Sequence, residues 1–280
     1  MLIEALQLPP ALRINQKLTK KSFYDNGQLS ASAQKLLQEQ VESISLQAHL
    51  HPDNTNIAAY KTVQHEYLEI FVIQITLKDN QSWLNLKPAQ LKSLHEGVHK
   101  AIAYPLLLEI KAGEQVQWSL AEKSVHQGDS EHDKLILNEL LQTEWLDVNS
   151  ITRLGGELLH SLLKRLAFAN QNQQNLYTLY QSWYKTLTGY ALAHQAGLSD
   201  LPSTEHSLET QRAKLKQIQQ LKKDISDLKN QLKTCQQFNE KVELNIRLQK
   251  LTKQLNDLIS GEWSEDECYN KLQQYPTRYP

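Results

Sequence analysis

The segment 205–259 contains neither proline nor glycine, and its apolar residues recur at alternating three- and four-residue steps: Leu215, Ile218, Leu221, Ile225, Leu228, Leu232 and Cys235. This is a heptad pattern, the signature of a coiled-coil helix. No other feature constrains the fold as much, because a narrow apolar seam on one helix cannot bury itself. It must pack against its own continuation or against another helix. Near Cys235 the phase slips. Beyond it Val242 and Ile246 lie on one frame, and Leu244, Leu248, Leu251, Leu255 and Leu258 on another. The intervening stretch, Thr234-Cys235-Gln236-Gln237-Phe238-Asn239, is poor helix-interior sequence. Either a phase adjustment keeps one long helix running, or the chain reverses near Gln237 into an antiparallel hairpin. The two arms are comparable in length, which favours the hairpin.

Upstream the pattern is mixed. A short helix opens the chain, Pro9-Pro10 interrupts it, and a polar stretch follows. Ser30 suits the N-cap of a helical run containing Leu36, Leu37 and Val41. Ile44, Leu46, Ala48 and Leu50 alternate along a half-buried strand, which His51-Pro52-Asp53-Asn54 ends with turn chemistry. The run YLEIFVIQITL from Tyr67 to Leu77 is apolar on both parities, as a central strand must be. Pro88 fits the first turn of a helix carrying Leu91, Leu94, Val98 and Ile102 on one stripe. After Pro105, Leu106–Ile110 reads as another strand, so this part is a strand–helix–strand crossover. Ala112-Gly113-Glu114 turns into a strand over 115–121, where Val116, Trp118 and Leu120 alternate with polar residues. A polar loop from His126 to Asp133 leads to Lys134–Trp145, a strand in at least its first half.

After Asp147 the periodicity is helical. Leu154, Leu158, Leu162 and Leu166 form one stripe, and Tyr177, Tyr180, Tyr184 and Leu187 a second, with Trp183 beside it. Gly197 is a helix stop, and Leu198–His206 a linker. The expected organisation is α+β. A mixed β-sheet domain with a crossover helix spans 1–147, a helical region and linker 148–204, a coiled-coil hairpin 205–259, and a loosely ordered tail 260–280.

The 30 basic and 31 acidic residues leave a net charge of −1, without the basic excess of a dedicated nucleic-acid binder. Nucleic-acid contact is therefore expected to be indirect. No apolar run approaches the length of a membrane span, and the N-terminus lacks the order of a signal peptide. Cys235 and Cys268 have no metal-ligand spacing. A soluble cytoplasmic protein without a cofactor is expected.

Two motifs offer chemistry. Glu109-Ile110-Lys111 ends a strand, where a restriction-type nuclease core carries Glu-x-Lys with an acidic residue upstream to share a metal ion. That acid is missing, since no Asp lies between Asp79 and Asp129. The expectation is a surface Glu/Lys pair. His95-Glu96-Gly97-Val98-His99 fits the H-E-x-x-H pattern of zinc hydrolases, with both histidines on one helix face. Gly97 in mid-helix and the lack of a third ligand at a recognisable spacing argue against it. Solvent-facing histidines are expected instead. The aromatic stripe containing Tyr177, Tyr180, Trp183, Tyr184 and Tyr190 could stack bases, but at helical spacing it reads as packing. Lys17, Lys20 and Lys21, and Lys214, Lys216, Lys222 and Lys223, read as solvated faces. Gly155-Gly156 lacks the Lys-Ser/Thr of a phosphate loop.

INQKLTKKSFYDNGQLS, EYLEIFVIQITLK, AIAYPLLLEI and QFNEKVELN together resemble the family catalogued as domain of unknown function 4391, over nearly the whole chain to about residue 258. The resemblance implies an accessory protein of a prokaryotic restriction-modification or phage-defence system. Similar proteins are associated there with methyltransferases, restriction subunits and helicases. It implies no catalytic residues. Because the resemblance concentrates around the phase break, Phe238, Asn239, Val242, Glu243 and Asn245 become candidates for docking a protein partner. The expected function is a non-catalytic scaffold that docks a helicase, nuclease or methyltransferase through the coiled coil. The rival is a metal-dependent enzyme using Glu109 and Lys111 or the HEGVH pair, and a third reading is homo-oligomerisation through the coiled coil.

Overall fold

The computed structural model describes residues 2–25, 29–78, 82–126, 134–147, 156–203 and 205–261. The chain divides into two compact units, Met1–Leu187 and Thr188–Pro280. The tail assigned to 260–280 and the loop 127–133 lie almost wholly outside the described residues.

The first unit is built on a mixed sheet. Its strands are β1 (Arg13–Leu18), β2 (Val41–Leu50), β5 (Ile70–Leu77), β6 (Leu106–Ala112), β7 (Gln115–His126) and β8 (Lys134–Gln142), in the spatial order β1-β2-β5-β6-β7-β8. A short β9 (Leu146–Asp147) also pairs with β7, and β3 (Tyr60–Lys61) and β4 (Glu66–Tyr67) form a separate hairpin. Among the described strands of this sheet only β5 and β6 run parallel, in register Phe71↔Leu106 to Thr76↔Lys111, and the helix α5 (Pro88–Ala101) connects them. This is the crossover that the sequence predicts. β5 is central because it is apolar on both parities: Ile73, Ile75 and Leu77 face one side and Ile70 and Val72 the other, all buried. The polar stretch after Pro9-Pro10 contains the edge strand β1. Its residues are nearly all exposed, so no apolar alternation marks it.

One face of the sheet packs against α3 (Ala31–Glu39) and α5. Ala33, Leu36, Leu37, Leu94 and Val98 meet Ile44, Ile73, Ile75, Leu108 and Ile110 in one buried cluster. Ser30 caps α3, its hydroxyl accepting from Ala33 N–H at 3.2 Å. Gly97 lets α3 and α5 close on each other: a Cβ there would sit 2.5 Å from Leu29 Cδ2 and 3.3 Å from Ala33 Cβ. In the two-residue loop between β6 and β7 the first residue, Gly113, has φ +57°, as a type II′ turn requires.

On the opposite parity lie Leu107, Trp118 and Leu120, all fully buried. Tyr180, on α7 (Leu176–Ala196), closes this side. Its hydroxyl accepts from Ala121 N–H at 2.9 Å and lies 3.0 Å from the carbonyls of Leu106 and Ala121, with one proton to donate between them. Trp183 donates its indole N–H to Leu166 O at 3.0 Å, at the end of α6 (Glu157–Leu166). Tyr180, Trp183 and Tyr184 are all buried, so this stripe is packing, as its spacing predicts.

In the second unit, α7 ends in a Schellman motif. Gly197 has φ +70°, Leu198 N–H donates to Ala193 O at 2.9 Å, and Gly197 N–H to His194 O at 3.3 Å. Helices α8 (Leu208–Thr234) and α9 (Phe238–Ser260) form the antiparallel hairpin, reversing over Cys235-Gln236-Gln237. Ser207 caps α8 through Thr210 N–H at 3.1 Å. At the base of the hairpin Leu192, Leu215 and Ile218 are buried against Leu255, Leu258 and Ile259. Among the described residues no helix is long and apolar enough to cross a membrane.

Candidate functional site

The two frames of the heptad break become two faces of α9. Leu244, Leu248, Leu251, Leu255 and Leu258 are half-buried along the seam with α8. Phe238, Val242 and Ile246 are instead 77%, 43% and 60% exposed. At about 100° per residue these three span about 80° of arc, diametrically opposite the leucines. Asn245 falls at one edge of this arc, and Asn239 and Glu243 beyond the other. All five docking candidates are exposed; Phe238, Asn239, Val242 and Asn245 share this outer side of the helix, while Glu243 lies between it and the seam. Ile246, which the sequence reading did not single out, completes the stripe; its four-residue spacing from Val242 was the available signal. Near the turn a shallow pocket is lined by Gln231, Thr234, Cys235, Glu240, Glu243 and Arg247. Here Cys235 Sγ lies 3.3 Å from Glu240 Oε2.

Glu109 is not a surface residue. It is 1% exposed and accepts three hydrogen bonds: Leu2 N–H at 2.7 Å and Trp118 Nε1–H at 2.7 Å on Oε2, and Gln74 Nε2–H at 2.6 Å on Oε1. The in-register pairs Gln74↔Glu109 and Glu109↔Trp118 put these side chains on one sheet face. Lys111, two residues on, is exposed. The expected Glu/Lys surface pair is therefore a buried carboxyl satisfied by three donors, next to a solvated lysine. The reason is local: Glu109 is needed where an N-terminal amide and an indole N–H would otherwise be buried without an acceptor.

The HEGVH histidines, expected to face solvent, do not. Both His95 and His99 are fully buried under α5, against β7. Gln117 Oε1 accepts from Gln142 Nε2 at 3.1 Å and lies 3.3 Å from His95 Nε2, which must carry the hydrogen. His95 Nδ1 is then bare and accepts the Ser119 hydroxyl proton at 2.7 Å, while Ser119 Oγ accepts from His99 Nε2–H at 2.9 Å. Both rings are neutral, and His99 Nδ1 is left buried with no hydrogen-bond partner. Burial lowers His95 to about 4. His99 is pushed well below its usual value by burial, then by the neighbouring Lys123 and His95. Lys123 is 6% exposed and donates to Ile102 O at 2.6 Å and Tyr104 O at 2.7 Å, with burial lowering it to about 7.

The motif's glutamate does not join them: Glu96 lies 3.7 Å from Lys92 on the helix exterior. Among the described residues no three metal-ligating side chains cluster. The histidines thus tie α5 to β7. Gln117 and Ser119, polar residues on the parity opposite to Val116, Trp118 and Leu120, are buried as well. Two polar strand residues matching two histidines on the preceding helix were the signal for this layer. Of the lysines read as solvated, Lys214 is 3% exposed, and Lys20 donates to Val41 O at 2.5 Å.

No curated protein and no solved structure matches the chain. A family model, "Domain of unknown function (DUF4391)", matches residues 6–255, from just after the short N-terminal helix Leu2–Ala5 to the last turns of the hairpin. Sheet, buried polar layer and exposed apolar stripe all fall inside those limits, and the chain belongs to the DUF4391 family.

Proposed function

We propose that this protein is a non-catalytic accessory subunit that docks a partner protein through the outer face of its coiled-coil hairpin. The partner is a helicase, nuclease or methyltransferase subunit of a prokaryotic restriction-modification or anti-phage defence complex. The observation that carries the docking is the exposed stripe Phe238–Val242–Ile246, opposite the seam that already satisfies the hairpin. Anchors at i, i+4 and i+8 are what a helix presents to an apolar groove, and a contiguous exposed apolar patch marks an interaction surface.

Charge adds to this. Helices α8 and α9 carry eleven basic and six acidic residues within a chain of net charge −1. An apolar groove with an acidic rim is the complementary surface. The defence setting rests on the family resemblance alone. Any nucleic-acid contact made through the hairpin then runs through the partner. An enzyme centred on Glu109 or on the HEGVH pair has less in its favour, because both groups are buried and engaged in hydrogen bonds within the protein.

Affinity capture from the native host, with partners identified by mass spectrometry, tests the reading. The full-length protein should retain a helicase, restriction or methyltransferase subunit, and a Phe238→Asp/Ile246→Asp variant of unchanged circular dichroism should lose it. Retention of the same subunits by that variant overturns docking through the stripe.

A further inference from the structure

A second site lies on the sheet unit, where the short turn Ser82–Asn85, the start of α5 and the end of β8 enclose a cleft of about 530 Å³. This falls in the size range of small-molecule sites. Trp83 and Trp145 form one wall, their ring centroids 5.2 Å apart and their planes inclined by 53°. Leu84, 62% exposed, stands at the lip, and Gln117 and Gln142 lie in the lining.

The buried polar layer decides how those carboxamides are turned. Gln117 Oε1 is taken by Gln142 Nε2–H and by His95 Nε2–H, and His95 is held by Ser119. Gln117 therefore keeps its oxygen inward, and its amide N–H donors have no protein partner among the described residues. Gln142 uses its nitrogen in the same network, and its Oε1 acceptor is likewise unpartnered there. An amide donor of Gln117 and the carbonyl acceptor of Gln142 thus belong to the lining of the same cleft as the two indoles. An amide side chain donating and accepting at once is how proteins read the edge of a base, and indole faces are the platforms on which bases stack.

We propose that the cleft beside Trp83 and Trp145 binds a nucleobase, stacked on the indoles and read along one edge by the carboxamides of Gln117 and Gln142. The histidine–serine chain behind Gln117 is a positioning device: it fixes the amide orientation so that no reorganisation is needed on binding. The site does not depend on the coiled-coil docking proposed above. The base can come from a free nucleoside or from an unpaired position of a single strand.

Titration calorimetry with the full-length protein separates these sources. The probes are adenosine, guanosine, cytidine and uridine, then single-stranded DNA and RNA oligonucleotides. Saturable binding is expected, weakened about tenfold in Gln142→Leu, as the loss of one paired hydrogen-bond edge implies. It should also weaken in Leu84→Asp, a change at an exposed position that spares the fold. Nucleosides binding as tightly as the oligonucleotides assign a free ligand, and oligonucleotides binding far more tightly assign a single strand. Titrations silent for every probe, or unchanged in both folded variants, overturn the site.

Discussion

Glu109 and Lys111 show how differently two residues of one motif can be placed. Replacing Glu109 with Ala strands a backbone amide and an indole N–H in the interior, and takes the acceptor from the half-buried Gln74 carboxamide. Each buried donor left unpaired costs about 1–3 kcal/mol. Glu109→Ala should therefore lower the free energy of unfolding by at least about 2 kcal/mol, whereas Lys111→Ala, at an exposed site, should stay within about 0.5 kcal/mol. Urea denaturation followed by circular dichroism distinguishes the two. Equal and small effects would mean that the three donors find other acceptors. A strand position is legible from sequence, but the face that Glu109 occupies is set by which strands pair. Trp118 and Gln74 become its partners only through register, so the reading of a surface pair failed there.

At the scale of elements, the apolar periodicity was enough for β2, β5, β6, β7, α5, α7 and the hairpin, because each buries a continuous stripe. It was not enough for β1, whose side chains face solvent and whose strand conformation is held by backbone pairing with β2. Gly97 illustrates the same limit in a helix. In sequence it looks like a weak point of α5; in the fold it is where α3 approaches. Gly97→Val should destabilise by about 1–3 kcal/mol through overpacking. A denaturation midpoint equal to that of the unmodified protein would show that Leu29 moves aside without cost. The hairpin turns on a comparable choice. The leucine frame of α9 and the Phe238 frame both satisfy helical spacing, and only the packing of α8 selects the leucines.

For the molecule as a whole, the buried histidines link stability to acid. His95 has a folded pKa of about 4 against 6.5 when solvated, and His99 is shifted in the same direction. At these two rings the unfolded chain then binds more protons than the folded one as pH falls below 6.5, so the histidines' contribution to stability is complete above that value and is lost toward pH 4. The displacement of His95 alone corresponds to about 3 kcal/mol. Chemical denaturation at a series of pH values should show this loss, and His95→Gln should flatten the slope between pH 6.5 and 4. A slope unchanged by the substitution would place the acid sensitivity elsewhere.

From its sequence alone this protein is determined to be α+β, with a central two-sided strand, a crossover helix, an aromatic packing helix and a coiled-coil hairpin. These follow from local periodicity, and local periodicity is what the burial of one face imposes. Tertiary structure alone decided the rest: that His95, His99, Gln117 and Ser119 meet in a dry layer, that Glu109 turns inward, and that Phe238, Val242 and Ile246 turn outward. The spacing of a polar residue does not encode its partner, because a buried hydrogen bond is made between elements whose register and crossing are set by the core around them.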